Sequence, residues 1–155
     1  MTLRKELVKL ALEWEKKFGV APSVTGIVGE YDAAEWLGMS KKQYSDCMKD
    51  ATAVRKGYDF EYEGKRYQVK ACRPSGKKGS EITKVPNVRN YEWDYYIWVR
   101  YNKKYDVLEM WQFSRKEFKK RFPAEARIRP EDIMRHGKQL FPKKRLNKPN
   151  NRSSK

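Results

Sequence analysis

Histidine is almost missing from this chain. His136 is the only one in 155 residues, which rules out a His-rich metal centre and argues against Ser-His-Asp or Cys-His nucleophile chemistry. Cysteine is scarce too. Cys47 and Cys72 have no metal-ligand spacing, and they read as reduced thiols of a cytosolic protein. There is no signal-peptide pattern and no apolar run approaching the ~18 residues of a membrane span, so neither secretion nor membrane insertion is expected. No internal repeat occurs, and the phosphate-loop pattern GxxxxGK[ST] is absent. Gly76-Lys77-Lys78-Gly79 comes nearest, but it does not lie between a strand and a helix.

Basic charge and aromatic residues are abundant. Charged residues make up 36% of the chain and aromatics 14%, with five Trp and ten Tyr, which is the composition of a folded protein with a charged surface. Lys and Arg number 36 against 20 Asp and Glu, a net charge of +16. The excess is uneven: Ser114 to Lys155 holds 15 basic and 4 acidic residues. A polyanion, nucleic acid first, is the partner such a balance implies; a basic tail serving only solubility is the plainer alternative. The length suits one domain. We expect it over residues 1–141, with 142–155, rich in Lys, Arg, Asn, Pro and Ser, as a basic disordered tail.

Helical spacing dominates the first third. Leu3, Leu7, Leu10, Ala11, Trp14 and Phe18 predict an amphipathic packing helix over Thr2 to Phe18, stopped by Gly19. A second helix is expected from about Thr25 to Leu37, ending at Gly38, with Ala33, Ala34 and Leu37 inward. Glu30 falls on that inward stripe, where a carboxylate must be paired, metal-bound or turned out at the rim. Asp32 and Glu35 lie off the stripe and look solvated. Ser40 and Gln43 form a capping box for a short third helix.

The stretch Tyr58 to Arg73, YDFEYEGKRYQVKACR, predicts a β-hairpin turning on Glu63-Gly64. Tyr62 then pairs with Lys65, and Asp59 falls opposite Gln68. Alternation puts Asp59, Glu61, Arg66, Gln68 and Lys70 on one face and Tyr58, Phe60, Tyr62, Tyr67, Val69 and Ala71 on the other. A basic loop follows, and Glu81 to Val88 holds a short extended segment. Trp93 to Tyr101 (WDYYIWVRY) is the strongest strand signal and should be central in the sheet; Asp106 to Phe113 is the next strand. Short helices are expected after the Ser114–Glu117 cap and from Pro130 to about His136. The whole is an α/β fold, a central mixed sheet of about four strands flanked by helices.

Glu30, Asp59, Gln68 and Lys70 have a shared chemical logic. Mg²⁺ takes hard oxygen ligands and fills its shell with water. Asp59 offers a carboxylate, Gln68 an amide oxygen and Val69 a carbonyl, while Glu30 approaches from the helix, directly or through water. Lys70 beside such a cation could position the attacking water or offset phosphate charge. A charged outer face of an ordinary hairpin is the bland alternative.

These motifs resemble those of the PD-(D/E)xK nucleases, the restriction-endonuclease-like superfamily, over roughly Gly26 to Phe113. The helix GEYDAAEWLG is similar to the family's N-terminal acidic helix. Tyr58-Asp59 matches its aspartate on the first hairpin strand, and Gln68-Val69-Lys70 matches the (D/E)xK element in its Q-x-K form, as in small homing-endonuclease-type and phage or bacterial members. The resemblance implies a Mg²⁺- or Mn²⁺-dependent DNA endonuclease with Lys70, Asp59, Gln68 and Glu30 catalytic and the last three holding metal. Arg66, Arg73, Lys77 and Lys78 would contact DNA phosphates. It further implies a homodimer or higher homo-oligomer, no membrane attachment, and a cytoplasmic place at the nucleoid or, if phage-encoded, in a bacterial host. A catalytically inactive nucleic-acid-binding protein of the same fold is the alternative. A third reading makes the chain an interaction protein using exposed Trp93, Trp98 and Trp111.

Overall fold

The first helix, α1 (Leu3–Phe18), begins where the Thr2 hydroxyl accepts a hydrogen bond from the Lys5 amide and ends at Gly19, whose φ of 79° closes the last turn. α2 (Thr25–Leu37) ends at Gly38 in the same left-handed manner. The Ser40–Gln43 capping box opens α3 (Lys41–Lys49) with both of its reciprocal bonds made. The computed structural model describes residues 1–50 and 57–143. The segment 51–56 leading to the hairpin, and all but Pro142 and Lys143 of the expected tail, therefore lie outside the described residues.

The hairpin forms in the expected register. β1 (Phe60–Tyr62) and β2 (Lys65–Cys72) pair Tyr62 with Lys65, Glu61 with Arg66 and Phe60 with Tyr67. Glu63 and Gly64 both have positive φ, 49° and 73°. That is the two-residue geometry whose twist matches the flanking strands. Alternation fails at one residue. Regular pairing starts at Phe60, so Tyr58 is not on the Phe60 face; it packs in the other core, with the Arg66 guanidinium 5.9 Å from its ring.

β3 (Tyr95–Tyr101) runs parallel to β2, and β4 (Val107–Ser114) returns antiparallel beside β3. α4 (Arg115–Arg121) follows the Ser114 cap, and α5 (Pro130–His136) starts on proline. Of the segment 81–88, expected to be extended, Val85 alone makes a bridge, to Ile128. Among the described residues the sheet has five strands in the order β1-β2-β3-β4-β5, one more than expected. The additional strand, β5 (Lys138–Phe141), is four residues long, too short to show an alternation. No helix among the described residues is long and apolar enough to cross a membrane.

Both faces of the sheet are covered, giving two cores. On one, Phe60, Tyr67, Val69, Ile97 and Val99 meet Val8, Ala11, Val28, Ala33 and Ala34 of α1 and α2. On the other, Tyr96, Trp98, Trp111 and Phe113 meet Phe118, Ile128 and Ile133. Trp93, Trp98 and Trp111 are all buried, so they cannot serve as exposed interaction residues.

The orientation of α1 differs from the expectation. Val8 and Ala11 are buried, whereas Leu3, Leu10, Trp14 and Phe18 are exposed. Two ion pairs set this rotation. The Arg4 guanidinium grips both oxygens of Asp32 on α2 at 2.8 and 2.7 Å, and Arg73, just past β2, grips Glu15 at 2.8 and 2.9 Å. Arg4, Val8, Ala11 and Glu15 lie on one helical face, so that face turns inward. Asp32 is thus largely buried rather than solvated. It also accepts a hydrogen bond from the Tyr101 hydroxyl, whose pKa is driven well above the usual tyrosine value by burial and by Asp32.

Candidate functional site

The site starts where the chain enters the hairpin. The Asp59 amide donates to the Tyr67 carbonyl at 2.8 Å, which lays Asp59 alongside β2. Its Oδ2 accepts two hydrogen bonds, from Gln68 Nε2 at 2.8 Å and from the Val69 amide at 2.6 Å. A carboxylate held by two N–H donors is fixed in both position and orientation. Gln68, 6% exposed, is the one buried polar or charged residue among those described. Because its amide nitrogen faces Asp59, its amide oxygen points elsewhere.

Lys70 follows two residues later on the same face of β2. In the register Gln68 is beside Tyr96 and Lys70 beside Trp98, both residues of the second core. Lys70 is half-buried, and its ammonium makes no hydrogen bond or ion pair among the described residues. A partly desolvated cation on the same strand face as an amide that holds an oriented carboxylate can hold an anionic group or orient a water molecule.

Glu30 comes from the other side of the strand. α2 packs on the Val69 and Ala71 face, with Gly29 directly against Ala71. Glu30 is half-buried beside that contact. The fold therefore joins Asp59 to Gln68, keeps Lys70 on their face, and delivers Glu30 from the opposite face of β2. Among the described residues no group of three or more His, Cys, Asp or Glu side chains is arranged to hold a metal ion. With the Gln68 amide turned over, the Asp59–Gln68 pair would offer the donor type that Mg²⁺ prefers, oxygen from one carboxylate and one amide, with water and substrate oxygens left to complete the shell.

The four expected DNA contacts separate into three situations. The Arg66 amide donates to Asp94 Oδ2 at 2.9 Å, and its guanidinium lies 3.4 Å from the same oxygen; the side chain is partly exposed. These donors, the Arg66 amide first, hold the Asp94 carboxyl below its usual range. Arg73 is committed to structure. Its side chain is 4% exposed, it donates to the Lys103 carbonyl as well as to Glu15, and it stacks 4.5 Å from the Tyr105 ring centroid. Its fork is filled by these partners, which leaves little of it for a phosphate. Lys77 and Lys78 are exposed on the loop beyond β2.

Sequence reasoning missed two cations. Lys103 Nζ donates to the Lys77 carbonyl at 3.2 Å, so the β3–β4 turn meets the loop after β2. Exposed Lys103 and Lys104 thereby add to Lys77 and Lys78 at one end of the sheet. The clue was present as a Lys-Lys pair in each of two loops that follow parallel neighbouring strands. A comparison with protein-family models finds no match, and neither does a comparison with curated proteins.

Proposed function

We propose that this chain is a divalent-metal-dependent endodeoxyribonuclease of the PD-(D/E)xK, restriction-endonuclease-like type. The observation that carries the reading is the hydrogen bond locking Asp59 onto Gln68 of the Q-x-K strand, with the Lys70 ammonium, unpaired among the described residues, on the same face. Asp59 and Gln68 would hold Mg²⁺ or Mn²⁺, which when bound supplies Lewis acidity toward a phosphate oxygen and lowers the pKa of water. Lys70 orients the attacking water or neutralises charge gathering on the phosphate. Glu30 is the weakest member of the set, since it approaches from the far side of β2. Lys77, Lys78, Lys103 and Lys104 would meet the DNA backbone, and the work would be done where the DNA is, at the nucleoid or on DNA in a phage-infected bacterial host.

One observation favours a second reading. Position 68 is neutral, and its amide already satisfies Asp59, so the pair is stable without a cation. A binder of nucleic acid that does not cut would look the same. Nicking of supercoiled plasmid in Mg²⁺ and Mn²⁺ decides the matter. We expect cleavage by the wild type and none by Lys70→Ala, with DNA binding retained. Wild-type cleavage by Lys70→Ala removes the assignment, and DNA binding without strand breakage under either metal supports the second reading.

A further inference from the structure

We propose that α1 is the dimerisation element of this chain: two copies pack α1 against α1, antiparallel about a two-fold axis, with Trp14 of each seated beside Leu3 of the other. The inference rests on α1 and its neighbours alone and is independent of the nuclease reading.

The first support is the outward stripe. Leu3 keeps 81% of its surface exposed, Leu10 63%, Trp14 55% and Phe18 57%. A monomer could bury these side chains by rotating α1, but the Arg4–Asp32 and Glu15–Arg73 pairs hold the helix with this stripe outward. Met1, Val20 and Ile27 flank it at 82%, 70% and 59% exposure. With Leu3 of one copy beside Trp14 of the other, Phe18 and Val20 overhang the first residue of the other copy. At about 200 Å² for a large apolar side chain, the exposed fractions of Met1, Leu3, Leu10, Trp14 and Ile27 amount to about 700 Å² per copy. The largest apolar patch on a monomer is usually about 300–600 Å², while a stable complex buries about 800 Å² per partner.

The second support is self-complementarity. Leu3, Leu7, Leu10 and Trp14 are separated by four, three and four residues. This is the alternation of a coiled-coil seam, and it reads the same in both directions. Reversing one helix therefore sets Leu7 against Leu10 of the other copy and Leu3 against Trp14, as a two-fold contact requires.

The third support is a receiving cavity. Next to Leu3 an apolar groove of about 330 Å³ is lined by Leu3, Leu7, Ile27, Tyr31 and Tyr44. An antiparallel partner brings its Trp14 to the mouth of this groove. An aromatic anchor entering an apolar pocket is the usual form of an interface hot spot.

Each copy carries a net charge of +16, so two copies repel at long range and salt should tighten the dimer by screening. DNA binding responds to salt in the opposite direction, which separates failure of this inference from failure of the nuclease reading. The experiment is sedimentation equilibrium of the full chain at low and high salt, on the wild type, Leu10→Glu, Trp14→Glu and the milder Leu10→Gln. We expect a wild-type dimer that tightens with salt. Both Glu variants should weaken it by about thirtyfold or more, with the circular dichroism of the dilute protein unchanged because these positions face solvent in the protomer. Leu10→Gln should give an intermediate loss. A wild type that stays monomeric at its solubility limit overturns the proposal and leaves the stripe to a different partner. A dimer that persists undiminished in folded Leu10→Gln and Trp14→Glu also overturns it.

Discussion

Gly29 of α2 sits directly on Ala71 of β2, so closely that a methyl group added to Gly29 would overlap the Ala71 side chain. This contact sets the spacing between the helix carrying Glu30 and the strand carrying Lys70. In an exposed helix, glycine to alanine gains about 1 kcal/mol. Here overpacking costs about 1–3 kcal/mol, because neither backbone can give way cheaply. Gly29→Ala is expected to lower stability in urea unfolding, and adding Ala71→Gly should restore part of the loss. Additive losses in the double variant would show that the two residues are not coupled.

Arg73 should behave as a structural residue. Arg73→Ala strips Glu15 of its partner and leaves the Lys103 carbonyl without its donor, a loss of about 2–4 kcal/mol. Arg73→Lys keeps the charge but not the two-pronged geometry, so it should recover only part of this. DNA affinity of the folded Arg73→Ala protein at fixed salt should equal that of the wild type. A severalfold fall in affinity without loss of stability would return Arg73 to the DNA surface.

The same ion pair gives stability an acid limit. Arg73, mainly through its hydrogen bonds, holds the Glu15 carboxyl below its usual range. The Arg66 amide does so for Asp94 and the Arg129 amide for Asp132. A carboxyl depressed in the folded state contributes its full stability above its unfolded value, about 4.3 for Glu and 3.9 for Asp. It loses that contribution as pH falls through the lower folded value. Urea unfolding should therefore be nearly flat from neutral pH to about 5 and weaken below about 4.5. Glu15→Gln should be less stable near neutrality and fall less steeply in acid. A slope as steep as that of the wild type would mean that Glu15 plays no part.

Gln68→Glu tests whether the hairpin holds a cation, with a readout that does not depend on cleavage. The variant loses the donor to Asp59 and sets a second carboxylate beside it, which should cost about 1–3 kcal/mol without metal. Bound Mn²⁺ stabilises the folded state by mass action, by about 2.7 kcal/mol at a hundred times its Kd. Added Mn²⁺ is expected to raise the melting temperature of Gln68→Glu by several degrees more than that of the wild type. No Mn²⁺-dependent shift in either protein would argue that no cation binds at these residues.

The hairpin and the Asp59–Gln68 pairing were legible because they depend on short-range rules: a glycine at the turn and alternation on either side. The central strand was legible from its β-branched and aromatic run. What escaped were relationships set by distant partners. The apolar spacing of α1 points Leu3, Leu10 and Trp14 inward by the ordinary rule. Residues 28 and 58 positions away, Asp32 and Arg73, overrule it by binding Arg4 and Glu15. Asp32 looked solvated because its partners, Arg4 and Tyr101, are far along the chain. The side of β2 from which Glu30 arrives depends on how α2 packs, which periodicity within the helix does not encode.

Among the described residues the pairing of β2 with β3 is the one parallel contact in the sheet, and its first rung joins Tyr67 to Tyr95. The hairpins on either side, β1–β2 and β3–β4, close locally and can form early. Their union must meet the loop-closure entropy of the whole crossover, so it is the natural bottleneck of folding. Substitutions along Val69 and Ile97 at this seam should slow folding, whereas those on the outer face of α1 should leave the folding arm of the chevron unchanged.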